Sequence, residues 1–316
     1  MTIKWEKLGR ILEPDINIHW LYSSAGASCA LPSSEGDGIF DIYVTGRDEK
    51  RRSRVGLFKF DIPNMQALDI SRNPVFDLGG KGAFDENGVS YPYVVQAAGS
   101  LYMYYAGWVQ GVQVPWMNGL GLAVSSGGDV FERFSRAPIM PRDNEDYIGI
   151  GSCCVIEEKG RFKMWYSRYQ KWGEREDEHR HYYNIKYAES TDGINWVRNK
   201  KICIDFRDPS EYAIAKPCVL KIKDKYVMWY SYRGNSYKIG FAVSDNGLDW
   251  IRRDDLSGIE PSPNGWDSQM VCYSYVFQYK DHFYMLHNGN GYGDSGLGIA
   301  RIEATKIFDI VQSLSL

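Results

Sequence analysis

Carboxylates recur at one position of a repeated pattern, shortly before a run of apolar residues. Counting ten residues back from the end of four such runs gives Asp85, Asp146, Ser210 and Asp267, and the next position gives Glu86, Tyr147, Glu211 and Ser268. Two carboxyl groups that meet in one cleft can cleave a glycosidic bond, one protonated as general acid and the other ionised as base or nucleophile. Burial and mutual repulsion would separate their pKa values.

The pattern that places these carboxylates is a repeat of the whole chain. The stretch RFKMWYSR at 161–168 has a near copy, KYVMWYSYR, at 225–233 and looser copies elsewhere. The aligned positions are 61, 61, 64 and 57 residues apart: Ile42, Met103, Met164, Met228 and Met285. One unit of about 60 residues, written five times, therefore builds the protein.

Each unit has the signature of three or four short antiparallel strands. The third apolar run ends twice in a matched tail, STDGINW at 190–196 and SDNGLDW at 244–250. Asp-Gly and Asn-Gly supply the positive backbone angles of a tight turn, and the Trp begins the next run. Four-stranded units of this length, rich in aromatic residues, are typical of propeller blades, whereas a β-sandwich is the alternative.

The sequence therefore predicts an all-β fold, a five-bladed β-propeller of four-stranded antiparallel blades in a single domain, 1–316. The first 20 residues would form an outer strand that opens blade one or closes the ring beside the last blade. The predicted blades span about 21–76, 77–137, 138–202, 203–255 and 256–304.

In a propeller the starts of the innermost strands converge on the mouth of a central funnel. We expect Glu211 there with Asp85, Glu86 or Asp267, as the pair of carboxylates that cleaves a glycosidic bond. For any single one of these acids the alternative is structural, because Asp and Ser before a strand often satisfy backbone donors in a turn.

Cationic side chains form the second candidate set. Arg47 and Arg233 end the second strand of their units at the same repeat position, so both would face one central space. With Lys216 and His287 they would contact substrate, which favours an acidic sugar. A solvated hairpin tip is the alternative for the basic segment 46–56.

Aromatic side chains near the same rim form a third set. Trp108 and Tyr169, and Trp20 with its neighbour His19, could contact sugar rings, but packing between blades is the alternative for most of the aromatic residues. The irregular insert 170–183 is either an exposed hairpin extension or a lid, with His179 and His181 available to the substrate.

Composition restricts the remaining function classes. The net charge is −3 with both signs interspersed, so neither a nucleic-acid nor a membrane partner is expected. The six cysteines show no metal-binding spacing, so we expect buried thiols, no metal and no cofactor. Residues 1–20 lack an apolar run of secretory length, which favours a cytoplasmic protein. The oligomeric state is not predicted.

The motifs resemble those of the five-bladed β-propeller glycosidases of families 43, 32 and 68, above all a family-43-like branch. The resemblance covers nearly the whole chain and is carried by FDENGVSYPYVV with LYMYYAGW, GSCCVI with FKMWYS, and EYAIAKPCVL with KYVMWYSYR and IGFAVSDNGLDW. In that superfamily an Asp on blade one is base or nucleophile, an Asp on blade two orients, and a Glu further round is the acid.

By this resemblance Asp85 or Glu86 matches the blade-two acid and Glu211 the general acid, although Glu211 lies on blade four. The first strand of blade one, at 23–32, has no Asp. The missing residue favours the alternative function, a non-catalytic propeller that binds a glycan or sugar-nucleotide in association with polysaccharide assembly.

Overall fold

The protein is described by a computed structural model covering residues 2–173 and 180–314. The described chain consists of strands β1 to β20, three short 3-10 helices and one α-helix, α1 (Ala304–Ser313). The predicted all-β class is confirmed. Strand β1 (Glu6–Leu12) pairs with the last strand of the chain.

The strands after β1 pair in antiparallel groups of consecutive strands. The first group contains β2 (Ser24–Pro32), β3 (Ile39–Arg47), β4 (Ser53–Asp61) and β5 (Gln66–Ile70). The second group contains β6 (Gly88–Ala97), β7 (Ser100–Gln110), β8 (Trp116–Ser125) and β9 (Glu132–Arg133). One parallel pair, Ser53 with Gly88, joins the two groups into a single eight-stranded sheet.

The third and fourth groups repeat this arrangement. The third contains β10 (Gly149–Glu158), β11 (Arg161–Trp172), β12 (His181–Ser190) and β13 (Val197–Ile204). The fourth contains β14 (Ala213–Ile222), β15 (Lys225–Arg233), β16 (Tyr237–Ser244) and β17 (Ile251–Arg252). Tyr183 and Ala213 form the parallel pair between them.

The fifth group joins the two ends of the chain. Strands β18 (Cys272–Tyr279), β19 (His282–Asn288) and β20 (Leu297–Glu303) are followed in the sheet by β1, which pairs antiparallel with β20. The first strands of the groups contact one another in cyclic order, β2, β6, β10, β14, β18 and again β2. The groups therefore surround a common centre.

The repeat position that aligned the sequence is the core of each group. All five residues are completely buried: Ile42, Met103, Met164, Met228 and Met285. Each lies in the middle of a second strand, where both faces of the sheet are covered by neighbouring groups, which explains the continuous apolar runs there.

The matched tails close two of the groups in the same way. The Ser190 hydroxyl accepts a hydrogen bond from the Gly193 N–H at 2.9 Å, and the Trp196 indole donates to the Gly193 carbonyl at 3.2 Å. The equivalent bonds in the fourth group join Gly247 to Ser244 and Trp250. Gly193 and Gly247 have φ of 73° and 77°, the left-handed values that favour glycine.

A bulge at an equivalent place in the first strands directs side chains to the centre. Its residue has a φ of 46 to 56° in four groups: Ala27, Tyr91, Lys216 and Tyr273. The N–H of each bonds to a side chain of the preceding group: Ala27 to Asn288, Tyr91 to Thr45, Lys216 to Ser152 and Tyr273 to Ser231, at 2.7 to 2.9 Å. These bonds stabilise the bulges and connect the groups.

Candidate functional site

A cavity of about 400 Å³ opens where the bulges of the first strands meet, and we call it the central cavity. Every strand group contributes to its lining. The main side chains are Arg47, Arg51, Tyr91, Trp108, Trp116, Asn118, Tyr169, His181, Tyr183, Arg233, Tyr237, Tyr273, Tyr292 and Asp294. Its volume is within the range of small-molecule sites.

One wall of the central cavity is aromatic. His181 stacks on Tyr183 with ring centroids 5.1 Å apart and an interplanar angle of 11°. Trp116 meets His181 edge to face at 5.0 Å, and Tyr169 packs 5.0 Å from Tyr183. On the adjacent part of the wall the Trp108 indole donates to the Ser53 hydroxyl at 2.7 Å. Rings packed in this way form a rigid apolar surface suited to the faces of a sugar.

Another part of the lining is positively charged. Arg233 lies 5.3 to 5.5 Å from the ring centroids of Tyr212, Tyr237 and Tyr292, and its Nε has no hydrogen-bond partner in the described chain. Arg47 donates to the Arg51 carbonyl at 2.8 Å, and burial lowers the pKa of its guanidinium. Within the described residues no carboxylate oxygen lies within 4.0 Å of either guanidinium.

Asp294 is the one carboxylate among the described lining residues. Both of its oxygens accept hydrogen bonds from Arg51 at 3.1 Å, and the two side chains are 43% and 54% exposed. Three guanidinium groups therefore face one carboxylate in this cavity.

Tyrosine hydroxyls supply neutral polar groups at the floor. Burial raises the pKa of Tyr91 and Tyr273, and raises those of Tyr183 and Tyr237 well above the ordinary value. The Tyr183 and Tyr237 hydroxyls hydrogen-bond to each other. These phenols remain protonated, so they present neutral hydroxyl groups to a ligand.

The carboxylates predicted as catalytic lie outside this lining and belong to three different strand groups: Asp85 and Glu86 to the second, Glu211 to the fourth and Asp267 to the fifth. Asp85 is completely buried and accepts hydrogen bonds from the Tyr105 hydroxyl at 3.0 Å and Arg133 Nε at 2.8 Å. Glu86, the half-buried neighbour, accepts from the Gly82 N–H. Glu211 is held by Arg252.

Asp267 lies in the fifth group, where Lys7 donates to it at 2.6 Å. Its burial acts to raise the pKa of this carboxyl, but the hydrogen bonds of Lys7 and Ser262 outweigh that effect and hold the pKa below its usual value. In the second, fourth and fifth groups alike, a cation from the fourth strand, Arg133, Arg252 or Lys7, binds the carboxylate that precedes the first strand.

Four of the eight predicted binding residues line the central cavity, and four do not. Arg47, Arg233, Trp108 and Tyr169 line the central cavity. Lys216, Trp20 and His287 are completely buried behind other residues, and His19 is exposed away from the cavity.

Packing explains the position of the buried members. Trp20 fills space above Gly46 and Gly56, where any side chain would collide with its ring, and donates to the Ser71 carbonyl at 2.8 Å. His287 stacks on Trp266 at 5.3 Å. Of the proposed lid histidines, His181 lines the cavity and His179 lies outside the described residues.

Sequence reasoning missed several lining residues, above all Tyr91, Tyr273 and Asp294. The repeat contained a signal for two of them, because Tyr91 and Tyr273 occupy the same position in YPYVV and YSYVF. Within residues 2–173 and 180–314 no cluster of three or more His, Cys, Asp or Glu side chains is arranged to hold a metal ion.

Comparison with known proteins finds relatives that are similar over nearly the whole chain. No family model matches it. It is 39% identical over 303 residues to the uncharacterized protein MT1551 of Mycobacterium tuberculosis (strain CDC 1551 / Oshkosh), which covers 95% of this chain and 99% of that protein. The chain belongs to the same family as MT1551. Protein Rv1502 of Mycobacterium tuberculosis (strain ATCC 25618 / H37Rv) has the same identity and coverage.

Solved structures similar to this member of the MT1551 family are glycoside hydrolases and phosphorylases. One glycoside hydrolase aligns with a TM-score of 0.72 at 19% identity, covering 95% of this chain and 92% of that one. A protein of the GH130 family of mannoside phosphorylases and glycoside hydrolases aligns with a TM-score of 0.75 at 17% identity, covering 96% and 95%. The β-1,2-mannobiose phosphorylase of Listeria innocua, in complex with β-1,2-mannobiose, aligns with a TM-score of 0.68 at 12% identity, covering 96% and 99%. The resemblance to the propeller glycosidases is thus confirmed at the level of the fold.

Proposed function

We propose that this protein is a single-domain, five-bladed β-propeller whose central cavity binds an acidic carbohydrate. The observation that carries the proposal is the pair Arg47 and Arg233, two guanidinium groups that face the cavity without a carboxylate partner within 4.0 Å in the described chain.

The five blades correspond to the five strand groups. The cyclic contacts of their first strands and the pairing of β1 with β20 support a closed ring. The blade boundaries of the sequence analysis, about 21–76, 77–137, 138–202, 203–255 and 256–304, contain the strands of these groups except β1 and the last two residues of β13. In the proposed ring, β1 is the terminal strand that closes it.

The acidic character of the ligand follows from charge. Two guanidinium groups without anionic partners are costly to bury, and carboxylate or phosphate oxygens are the partners that the planar guanidinium binds best. The aromatic wall would bind the apolar faces of the sugar, and Arg47 and Arg233 would bind its negatively charged group. The mannobiose bound by the Listeria protein of similar fold supports a carbohydrate as the ligand class.

A non-catalytic role fits this lining best. A cavity of aromatic and arginine side chains with one ion-paired carboxylate, Asp294, favours binding of an acidic glycan or sugar-nucleotide, in association with polysaccharide assembly. No step of bond cleavage is needed for this function.

Glycosidic bond cleavage is the second candidate, favoured by the glycoside hydrolase and phosphorylase fold. In this mechanism Glu211 would be the general acid, with Asp85, Glu86 or Asp267 as base or nucleophile. The ion pairs of Glu211, Asp85 and Asp267 would have to open for a substrate to reach these carboxylates, so this candidate requires a rearrangement that binding does not.

The proposal includes the cellular location of the protein and its expected partners. All six cysteines are free and buried, which supports a cytoplasmic location, and we expect no nucleic-acid or membrane partner. In the described part of the chain, no helix combines the length and apolar character needed to cross a membrane.

The test is a panel of neutral, uronic acid and ulosonic acid glycosides, scored for both binding and turnover. We compare wild type with Arg47→Ala and Arg233→Ala, and use Arg253→Ala as control because Arg253 is paired with Asp255 away from the cavity. The proposal predicts binding of acidic glycosides that both cavity variants weaken and the control retains. Turnover abolished by Glu211→Gln at an unchanged melting temperature would instead establish the hydrolase.

A further inference from the structure

Lys216 is a completely buried lysine whose side chain contacts the first strands of three other strand groups. Its Nζ donates to the Ser28 carbonyl at 3.2 Å and lies 5.8 and 5.5 Å from the ring centroids of Tyr93 and Tyr275. These three neighbours belong to the first, second and fifth strand groups, whereas Lys216 starts from the fourth. Within 4.0 Å of this ammonium the described residues place no carboxylate oxygen.

The ammonium contacts strand positions that adjoin residues of the central cavity, which we call its floor. Ala27, Tyr91 and Tyr273 line that cavity, and each occupies the bulge position that Lys216 occupies in its own strand. The neighbours of Nζ follow these floor residues by one or two positions along the same strands. Lys216 itself does not line the cavity, so it would act on a ligand through the floor.

Among the described residues, none with a carboxylate oxygen within 4.0 Å compensates the charge of Lys216. The nearest acidic groups that sense it are thiols, and burial raises the pKa of Cys29 to about 12 and that of Cys153 well above the ordinary value, against the effect of Lys216. The hydroxyls of Ser28 and Ser274 are buried beside floor residues and have no hydrogen-bond partner in the described chain.

A second buried lysine, Lys186, has its charge compensated by a carboxylate. Lys186 is 3% exposed, and its Nζ lies 2.9 Å from Asp146. A buried charge without such a partner destabilises the folded state, and an apolar side chain of similar shape is often better tolerated. A lysine at this position is therefore explained if its field acts on a ligand.

We propose that the floor of the central cavity is an anion site charged from behind by Lys216, and that the carboxylate, phosphate or sulfate group of the bound carbohydrate lies there between Arg47 and Arg233. This inference rests on the proposed function and specifies it further. Lys216 is a positioning residue: it fixes the charged end of the ligand at the floor without touching it.

The experiment compares Lys216→Met with the matched variant Lys186→Met. Isothermal titration with methyl β-glucuronide and with inorganic phosphate gives affinities, methyl β-glucoside is the neutral control, and urea unfolding gives stability. Lys216→Met should bind both anions roughly tenfold more weakly, because the field of one interior charge is lost, and should unfold at the same or higher urea concentration. Lys186→Met should unfold at lower urea concentration and keep wild-type affinity.

Wild-type affinity in Lys216→Met overturns the inference while leaving the proposed function standing. A loss of stability in Lys216→Met equal to that of Lys186→Met also overturns it, since Lys216 would then serve the fold. Failure of the wild-type protein to bind either anion overturns the proposed function and this inference together.

Discussion

Arg252 holds both carboxylate oxygens of Glu211, with Nη1 2.7 Å from Oε2 and Nη2 2.9 Å from Oε1. Nη2 also donates to Asp254 at 2.7 Å. The two side chains of the pair are 11% and 8% exposed. This buried, bidentate pair connects the fourth strand of its group to the segment before the first, so Glu211 has a structural role in the fold.

Replacing Glu211 should therefore lower stability. Glu211→Gln leaves Arg252 with Asp254 as its one anionic partner among the described residues, and we expect the free energy of unfolding to fall by roughly 3 kcal/mol in urea titrations. Glu6→Gln is the control, because its pair with Arg301 is at the surface and should leave the unfolding midpoint nearly unchanged. An unchanged midpoint in Glu211→Gln would contradict the structural role.

The aromatic wall should contribute to sugar affinity. Trp116→Ala removes a ring that packs against His181, and we expect about tenfold weaker binding of a glycoside, equal to about 1.4 kcal/mol. The matched control is Trp196→Ala, which removes an indole packed on Tyr104 outside the cavity and should lower stability without changing affinity. Equal affinity in wild type and Trp116→Ala would exclude this wall from the site.

Much of the fold could be predicted because the repeat encodes it. The aligned residues, Met164 among them, are the buried centres of the second strands, and the matched tails form the turns that Asp-Gly and Asn-Gly require. Arg47 and Arg233 were found as cavity residues because they end second strands at one repeat position, and the direction of that strand fixes where they point.

The carboxylates show why the rest of the site could not be predicted. Their recurrence was visible, but their cationic partners are distant in sequence: Lys7 lies 260 residues from Asp267. Tyr91 and Tyr273 were missed for a different reason. A bulge with positive φ reverses the simple alternation of side chains along a strand, so the pattern of apolar residues does not reveal which tyrosines face the cavity.

Asn288 should be required for the shape of the cavity rim. Its Oδ1 accepts from the Ala27 N–H at 2.8 Å and its Nδ2 donates to the Tyr292 carbonyl at 2.7 Å, so one buried amide connects a bulge to the loop bearing Tyr292. Asn288→Asp removes the donor and adds a buried charge. We expect a lower melting temperature and weaker glycoside binding, whereas the change Asn73→Asp at an exposed position should affect neither. Normal binding in a stable Asn288→Asp protein would refute this role.

His287 should make stability depend on pH. Burial, with a smaller contribution from Lys7, lowers its pKa from 6.5 to about 4. The unfolded chain therefore takes up a proton near pH 6.5 that the folded protein accepts only near pH 4. As the pH falls from 6.5 to about 4, the titration of His287 alone should reduce the free energy of unfolding by up to about 3 kcal/mol. Below about pH 4 this residue should cause no further reduction.

Urea unfolding at several pH values checks this, with His287→Gln as the comparison. The variant has a different absolute stability, so the slope between pH 6.5 and pH 4 is the quantity to compare. A slope equal to that of the wild type would show that His287 titrates normally in the folded protein.

The most direct test of the central claim is the affinity of wild-type protein for two oligosaccharides that differ only in one carboxylate, a uronic acid against the corresponding neutral sugar, each measured at low and high salt. The account predicts that the acidic sugar binds at least about tenfold more tightly and that this advantage shrinks as salt is added. The reason is that Arg47 and Arg233, which have no carboxylate partner within 4.0 Å in the described chain, attract the charged sugar. Equal affinities, or a preference for the neutral sugar at every salt concentration, would contradict it.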